Sequence, residues 1–246
     1  MSTYLITGAN RGIGLALFKQ VAAKSENTVI VTVRDETKAE QIKKLGYKNV
    51  HVIVIDMIAS LDEFEAAFKN LPELAPNGFD VVIHNAGVCS EGSMSAFADH
   101  KFTEFQRTWE INFLGSVKFF RSVLPTLDLN TKPAKVVAIS TVASTISQMV
   151  YASNSYGASK AALNYITKEI ALERKERGDI VVPIHPGVVA TDMTAELAKY
   201  MTAEDVAKYN FISAEGSAAK IWELVDKLTL EDSGKFWSYD GSEIPY

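Results

Sequence analysis

The chain has 246 residues, 47% of them apolar, with 25 Lys and Arg against 30 Asp and Glu for a net charge of −5. That length and apolar content suit one large domain with a substantial core, and the acidic balance without long basic runs argues against a nucleic-acid-binding surface. Cys89 is the only cysteine, so no internal disulfide can form and a reducing, cytoplasmic setting is expected.

The apolar pattern begins at Tyr4, so no signal peptide is expected, and no apolar run approaches the roughly eighteen residues of a spanning helix. Six β-branched runs follow in chain order: 4–7, 28–33, 50–55, 79–84, 135–140 and 179–185. A seventh, at 235–239, is more aromatic. The runs are almost continuously apolar, as strands covered on both faces are. Helix-type patterns lie between them, at 13–24, 36–45, 60–70, 102–124 and 156–176. Strand alternating with helix predicts an α/β, doubly wound (Rossmann) domain over 1–246, with a seven-stranded parallel sheet and helices on both faces. The stretch 192–220 breaks the rhythm and is expected to form a substrate lid.

The first strand runs into TGANRGIG at 7–14. A glycine turn between strand and helix lets backbone N–H groups approach a pyrophosphate, and the helix N-terminus favours its charge. Gly8, Asn10, Arg11, Gly12, Ile13 and Gly14 are therefore the candidate phosphate turn, although the spacing is not the common G-x-G-x-x-G. The second strand ends in Arg34 and Asp35. An arginine there suits the 2′-phosphate of NADP, an acidic residue the 2′-hydroxyl of NAD. Arg34 comes first, and Arg11 offers a second cation, so NADP(H) is expected over NAD(H).

In YGASK, Tyr156 and Lys160 are four residues apart, hence neighbours on one helix face. Only small residues separate them. That spacing alone is common in proteins. It gains weight from TGANRGIG, HNAG at 84–87, EINFLG around Asn112, IST at 139–141 and HPGVVATDM at 185–193. Together, and in this order, these motifs resemble the short-chain dehydrogenase/reductase family over essentially the whole chain. GANRGIGL, HPGVVATDM and the tail YDGSEIPY are similar, more narrowly, to its sniffer-like carbonyl reductase and fungal ketoreductase branch.

The resemblance implies an NADPH-dependent reductase of ketones or aldehydes, reversible as an alcohol dehydrogenase. Tyr156 is then the acid–base. Lys160 lowers the affinity of Tyr156 for its proton and holds the nicotinamide ribose, and Asn112 sits in a proton relay. Asp56 and Met57 would contact the adenine, and Asn85, Ala86 and Gly87 would lie along the cofactor. Pro186, Gly187, Val189 and Thr191 would close over the nicotinamide. The family usually has a serine where Thr141 stands, and Ser140 and Ser144 remain alternatives for the hydroxyl that meets the substrate. His84 stands where the family more often has Asn, and is expected to be a satisfied polar residue at a strand end. No metal site is expected. The resemblance also implies a homodimer or homotetramer, formed through the helices at 102–124 and 156–176 as in relatives. Residues 88–98, 145–151 and 192–212 are expected to line the pocket for the small-molecule carbonyl or alcohol. A non-catalytic NADP(H)-sensing protein on the same fold is the alternative.

Overall fold

The computed structural model describes residues 1–90, 92–149, 153–198 and 211–246. Its centre is one sheet built from β1 (Thr3–Thr7), β2 (Thr28–Val33), β3 (Val50–Val54), β4 (Val81–His84), β5 (Lys135–Ile139), β6 (Ile180–His185), β7 (Phe236–Ser238) and β8 (Glu243–Ile244). The spatial order is β3-β2-β1-β4-β5-β6-β7-β8. Every pairing is parallel except β7 with β8.

Successive residues in a strand point to opposite faces, and each face needs an apolar cover. Leu5, Val82, Val136 and Val181 feed one core cluster, while Ile6, Ile83, Val137 and Val182 feed the other. Helices α1 (Gly12–Ala22) and α2 (Glu36–Lys43) cover one face. The other is covered by α3 (Leu61–Phe68), the short α4 (Leu71–Leu74), α6 (Gly115–Leu127) and α7 (Asn154–Glu173). Ser60 and Glu63 start α3 with a reciprocal capping box.

Three expectations need correction. The sheet has eight strands, and the last is antiparallel. The tail reverses at Gly241, whose φ is +87°, while Asp240 accepts hydrogen bonds from Ser242 N (3.1 Å) and Oγ (2.7 Å). A two-residue strand that begins with a glutamate carries too little apolar pattern to read in sequence. The helix expected over 102–124 is α5 (Phe102–Trp109), a π turn over Glu110–Leu114, and then α6. In that turn Gly115 N bonds back to Glu110 O, one residue further than in an α-helix.

The lid expectation is also too wide. Helix α8 spans Asp192–Ala198, but residues from 214 onward belong to α9 (Ala214–Lys227). Ser213 caps α9, Ala218 and Ile221 are fully buried, and Trp222 Nε1 donates to Leu17 O of α1 at 3.3 Å. The rest of the expected lid, 199–210, lies outside the described residues. No helix among the described residues is long and apolar enough to cross a membrane.

Candidate active site

The strand order reverses between β1 and β4, opening a crevice at their C-terminal ends. The glycine turn lies there. Gly8 and Gly12 have φ of +67° and +53°, where a side chain is strained. A Cβ on Gly14 would collide with Gly8 O, so the α1 backbone packs directly on the strand end. Asn85 staples this turn, its Nδ2 donating to Thr7 O (3.0 Å) and Gly8 O (3.3 Å). Thr7 Oγ1 in turn accepts from Asn85 N and Ala86 N, both at 2.9 Å. No acidic residue occupies the first turn of α1. The cradle suits an anion.

Arg34 leaves β2 with Nε donating to Asp35 Oδ2 at 3.1 Å. Asp35 Oδ1 accepts from Lys38 N at 2.9 Å and so caps α2. That backbone bond, followed by Arg34, holds the Asp35 carboxyl below its ordinary range. Arg11 is turned toward α8, where its Nη1 meets Asp192 Oδ2 at 3.0 Å. Past β3, Asp56 Oδ1 accepts from Ile58 N (3.2 Å), and Met57 is buried against Gly115.

Lys160 is the unusual cation. It is 4% exposed, and its Nζ donates to Ile139 O at 2.8 Å. Burial lowers its pKa to about 8, so it still carries a proton at neutral pH. A Cβ at Gly87 would come within 3.2 Å of both Lys160 Nζ and Asn112 Oδ1, so these three residues converge. Asn112 is fully engaged: Oδ1 accepts from Val88 N (2.8 Å), and Nδ2 donates to Val88 O (2.8 Å) and Ser159 Oγ (3.0 Å). Ser159 Oγ donates to Tyr156 O, one turn before Lys160 on α7.

After β5, the three candidate hydroxyls are not equivalent. Ser140 Oγ donates to Asn164 Oδ1 (2.5 Å), and Asn164 Nδ2 donates to Ser144 Oγ (2.8 Å). Ser144 Oγ donates to Thr141 O (2.5 Å). Thr141 Oγ1 accepts from Ala143 N (3.2 Å), and among the described residues its own proton has no acceptor.

Beyond β6, Gly187 has φ +87° and packs so closely that a Cβ would meet Ile212 and Tyr239. Pro186 O accepts from Ser217 Oγ (2.7 Å), and Val189 O from Thr194 Oγ1 (2.6 Å). Thr191 Cγ2 lies 3.3 Å from where a Gly12 Cβ would stand, so this segment reaches back over the glycine turn. Of the expected pocket lining, Phe97 and Met149 are exposed. Residues 150–152 lie outside the described residues.

Sequence reading missed Asn164, Asp192 and the contacts of His84. Asn164 could have been found, because it stands one turn past Lys160 on the Tyr156 face of α7. His84 Nδ1 lies 3.2 Å from Thr7 Oγ1, and Nε2 lies 2.7 Å from Ser116 Oγ. Burial pushes its pKa down to about 3.

A family model described as short chain dehydrogenase matches residues 2–202. The short chain dehydrogenase gsfK of Penicillium aethiopicum is 37% identical over 257 residues, covering 100% of this chain and 99% of that protein. The NADPH-bound carbonyl reductase from chicken fatty liver superposes with a TM-score of 0.86 at 26% identity, over 100% and 99% of the two chains. A 3-oxoacyl-[acyl-carrier protein] reductase from Brucella melitensis in complex with NAD has a TM-score of 0.79 at 27% identity, over 98% of this chain and 96% of its own.

Proposed function

Because the chain belongs to the short-chain dehydrogenase family, we propose that it is an NADPH-dependent reductase of ketones and aldehydes. The observation that carries this reading is the buried Lys160 ammonium, converging with Gly87 and Asn112 one helical turn from Tyr156. Among the described residues no carboxylate pairs with this ammonium, and a buried charge held only by a carbonyl is costly, which supports a functional use of it.

The residues present fit a dinucleotide. The Gly8–Gly14 cradle and the α1 N-terminus would receive its pyrophosphate, and Arg34, with Arg11 once released from Asp192, its 2′-phosphate. Asp56 and Met57 would hold the adenine. Asn85, Ala86 and Gly87 would lie along the cofactor, and Pro186, Gly187, Val189 and Thr191 would close over the nicotinamide. When bound, the cofactor supplies the hydride. Asp35 is committed to capping α2 and to Arg34, which supports NADP(H) over NAD(H).

Tyr156 donates its phenolic proton to the carbonyl oxygen as the carbonyl carbon is reduced. The Lys160 charge stabilises the phenolate left behind, and solvent returns the proton through the Lys160 and Asn112 region. Thr141 supplies the second donor to the substrate oxygen, because among the described residues its proton has no acceptor, whereas Ser140 donates to Asn164 Oδ1 and Ser144 to Thr141 O. Ser140 thus shapes the site from behind.

The test is loss of NADPH absorbance over aromatic aldehydes, quinones and diketones, for the wild type beside Tyr156→Phe, with NADH as the cofactor control. Turnover that needs NADPH and falls by about 10²-fold or more in the variant is expected. Tight NADPH binding without turnover on any carbonyl would instead leave a cofactor-sensing protein.

A further inference from the structure

His84 is buried, stacked on Phe119 at 4.7 Å and edge-on to Phe120 at 5.3 Å, and it has no part in the chemistry above. Its hydrogen bonds have a direction that can be deduced. Thr7 Oγ1 already accepts two backbone N–H groups, so what it offers His84 is its proton. Nδ1 is therefore the acceptor and Nε2 carries the hydrogen. Nε2–H then donates to Ser116 Oγ, and Ser116 donates onward to Asn112 O at 2.6 Å. Thr7, Ser116 and Asn112 are all fully buried, so no water competes with any link.

The run starts at the strand end that carries the glycine turn and finishes in the π turn that carries Asn112. The π turn is a local break in regular α-helix bonding, and the Ser116 hydroxyl adds a side-chain bond to the Asn112 carbonyl there. We propose that His84 is a positioning residue that aligns Asn112 through Ser116, coupling the base of the glycine turn to the Asn112–Gly87–Lys160 cluster. The catalytic consequence rests on the proposed reductase reading; the positioning itself does not.

The reporter is the Val88 amide, which donates to Asn112 Oδ1 and is shielded from exchange only while Asn112 keeps its place. Val136, fully buried in β5, reports global stability. In Ser116→Ala, and in His84→Asn, whose shorter side chain keeps the Thr7 link but does not reach Ser116, Val88 exchange accelerates by about tenfold while Val136 is unchanged. His84→Gln, which places an amide N–H near the Nε2 position, keeps most of the Val88 protection. With NADPH affinity unaltered, kcat falls in Ser116→Ala and His84→Asn.

Unchanged Val88 exchange in Ser116→Ala overturns the inference, and so does parallel acceleration of Val88 and Val136. Ser116→Ala deletes a single oxygen and serves alone if the His84 variants do not fold. Tyr156→Phe, measured alongside, separates the two ideas. If it keeps full turnover while Val88 responds as stated, the reductase mechanism fails and the positioning stands.

Discussion

Arg11 Nη1 lies 3.0 Å from Asp192 Oδ2, joining the glycine turn to the first residue of α8. Both side chains are largely exposed, at 59% and 76%, so the pair contributes little to stability. Its importance is competitive. If Arg11 takes a cofactor phosphate as proposed, it must give up this geometry with Asp192, whose carboxylate would also repel that phosphate. Asp192→Asn is expected to tighten NADPH binding by about threefold at low salt, with the gain shrinking as salt screens the charges. Fluorescence titration at two ionic strengths checks this, and a weaker complex would mean that the pair holds the site closed over the cofactor.

Arg34 and Asp35 make opposite predictions about the cofactor. If Arg34 holds the 2′-phosphate as proposed, Arg34→Leu should weaken NADPH by about tenfold or more through loss of a charge-assisted bond and leave NADH unchanged. Asp35→Ala should cost about 1 kcal/mol of stability through the α2 cap, without changing NADH affinity. A fall in NADH affinity in Asp35→Ala would show that Asp35 reads a ribose hydroxyl, and the preference would then be for NAD.

Thr141 and Ser140 can be separated by what each variant damages. Thr141→Ser keeps a hydroxyl with an available proton and should retain most of kcat, whereas Thr141→Ala should lose about 10²-fold. Ser140→Ala leaves Asn164 Oδ1 without its donor in a buried site, costing about 1–3 kcal/mol. It should therefore lower Tm by several degrees and spare kcat. Full turnover in Thr141→Ala would remove Thr141 from the mechanism.

The contrast between these hydroxyls explains how far the sequence could be read. The strands were legible because burial on two faces leaves continuous runs such as TVIVTV, and the glycine turn because its backbone geometry demands glycine. Ser140, Thr141 and Ser144 carry the same functional group, so only the partner, Asn164, distinguishes them. Arg11 was expected near a phosphate, but its carboxylate partner is 181 positions away, and no local pattern records that. The π turn was invisible for a related reason: EINFLG has ordinary helical composition, and the extra residue per turn is imposed by packing. Asn112 entered as a candidate through family resemblance alone, and His84 was expected to be a satisfied strand-end residue. The structure bears out the satisfaction and adds where each bond leads.

Lys160 sets a pH dependence whose sign follows from its burial. Its pKa falls from the ordinary 10.5 to about 8, with desolvation the main cause. Below pH 8 both folded and unfolded chains hold the proton, so the fold bears the whole cost of the buried ammonium, roughly 3 kcal/mol. Between pH 8 and 10.5 the folded protein releases the proton while the unfolded chain keeps it, and this contribution to stability rises with pH. Lys160→Met should abolish turnover yet raise the Tm of the cofactor-free protein at pH 7 by a few degrees, part of the gain being offset by the Ile139 carbonyl left without its donor. The Tm difference between variant and wild type should then narrow by pH 10, since every other titrating group is common to both. Differential scanning calorimetry at pH 7, 8.5 and 10 measures it. A difference that stays constant across that range would mean that Lys160 keeps its ordinary affinity for the proton, and its charge would have to be stabilised by something other than the Ile139 carbonyl.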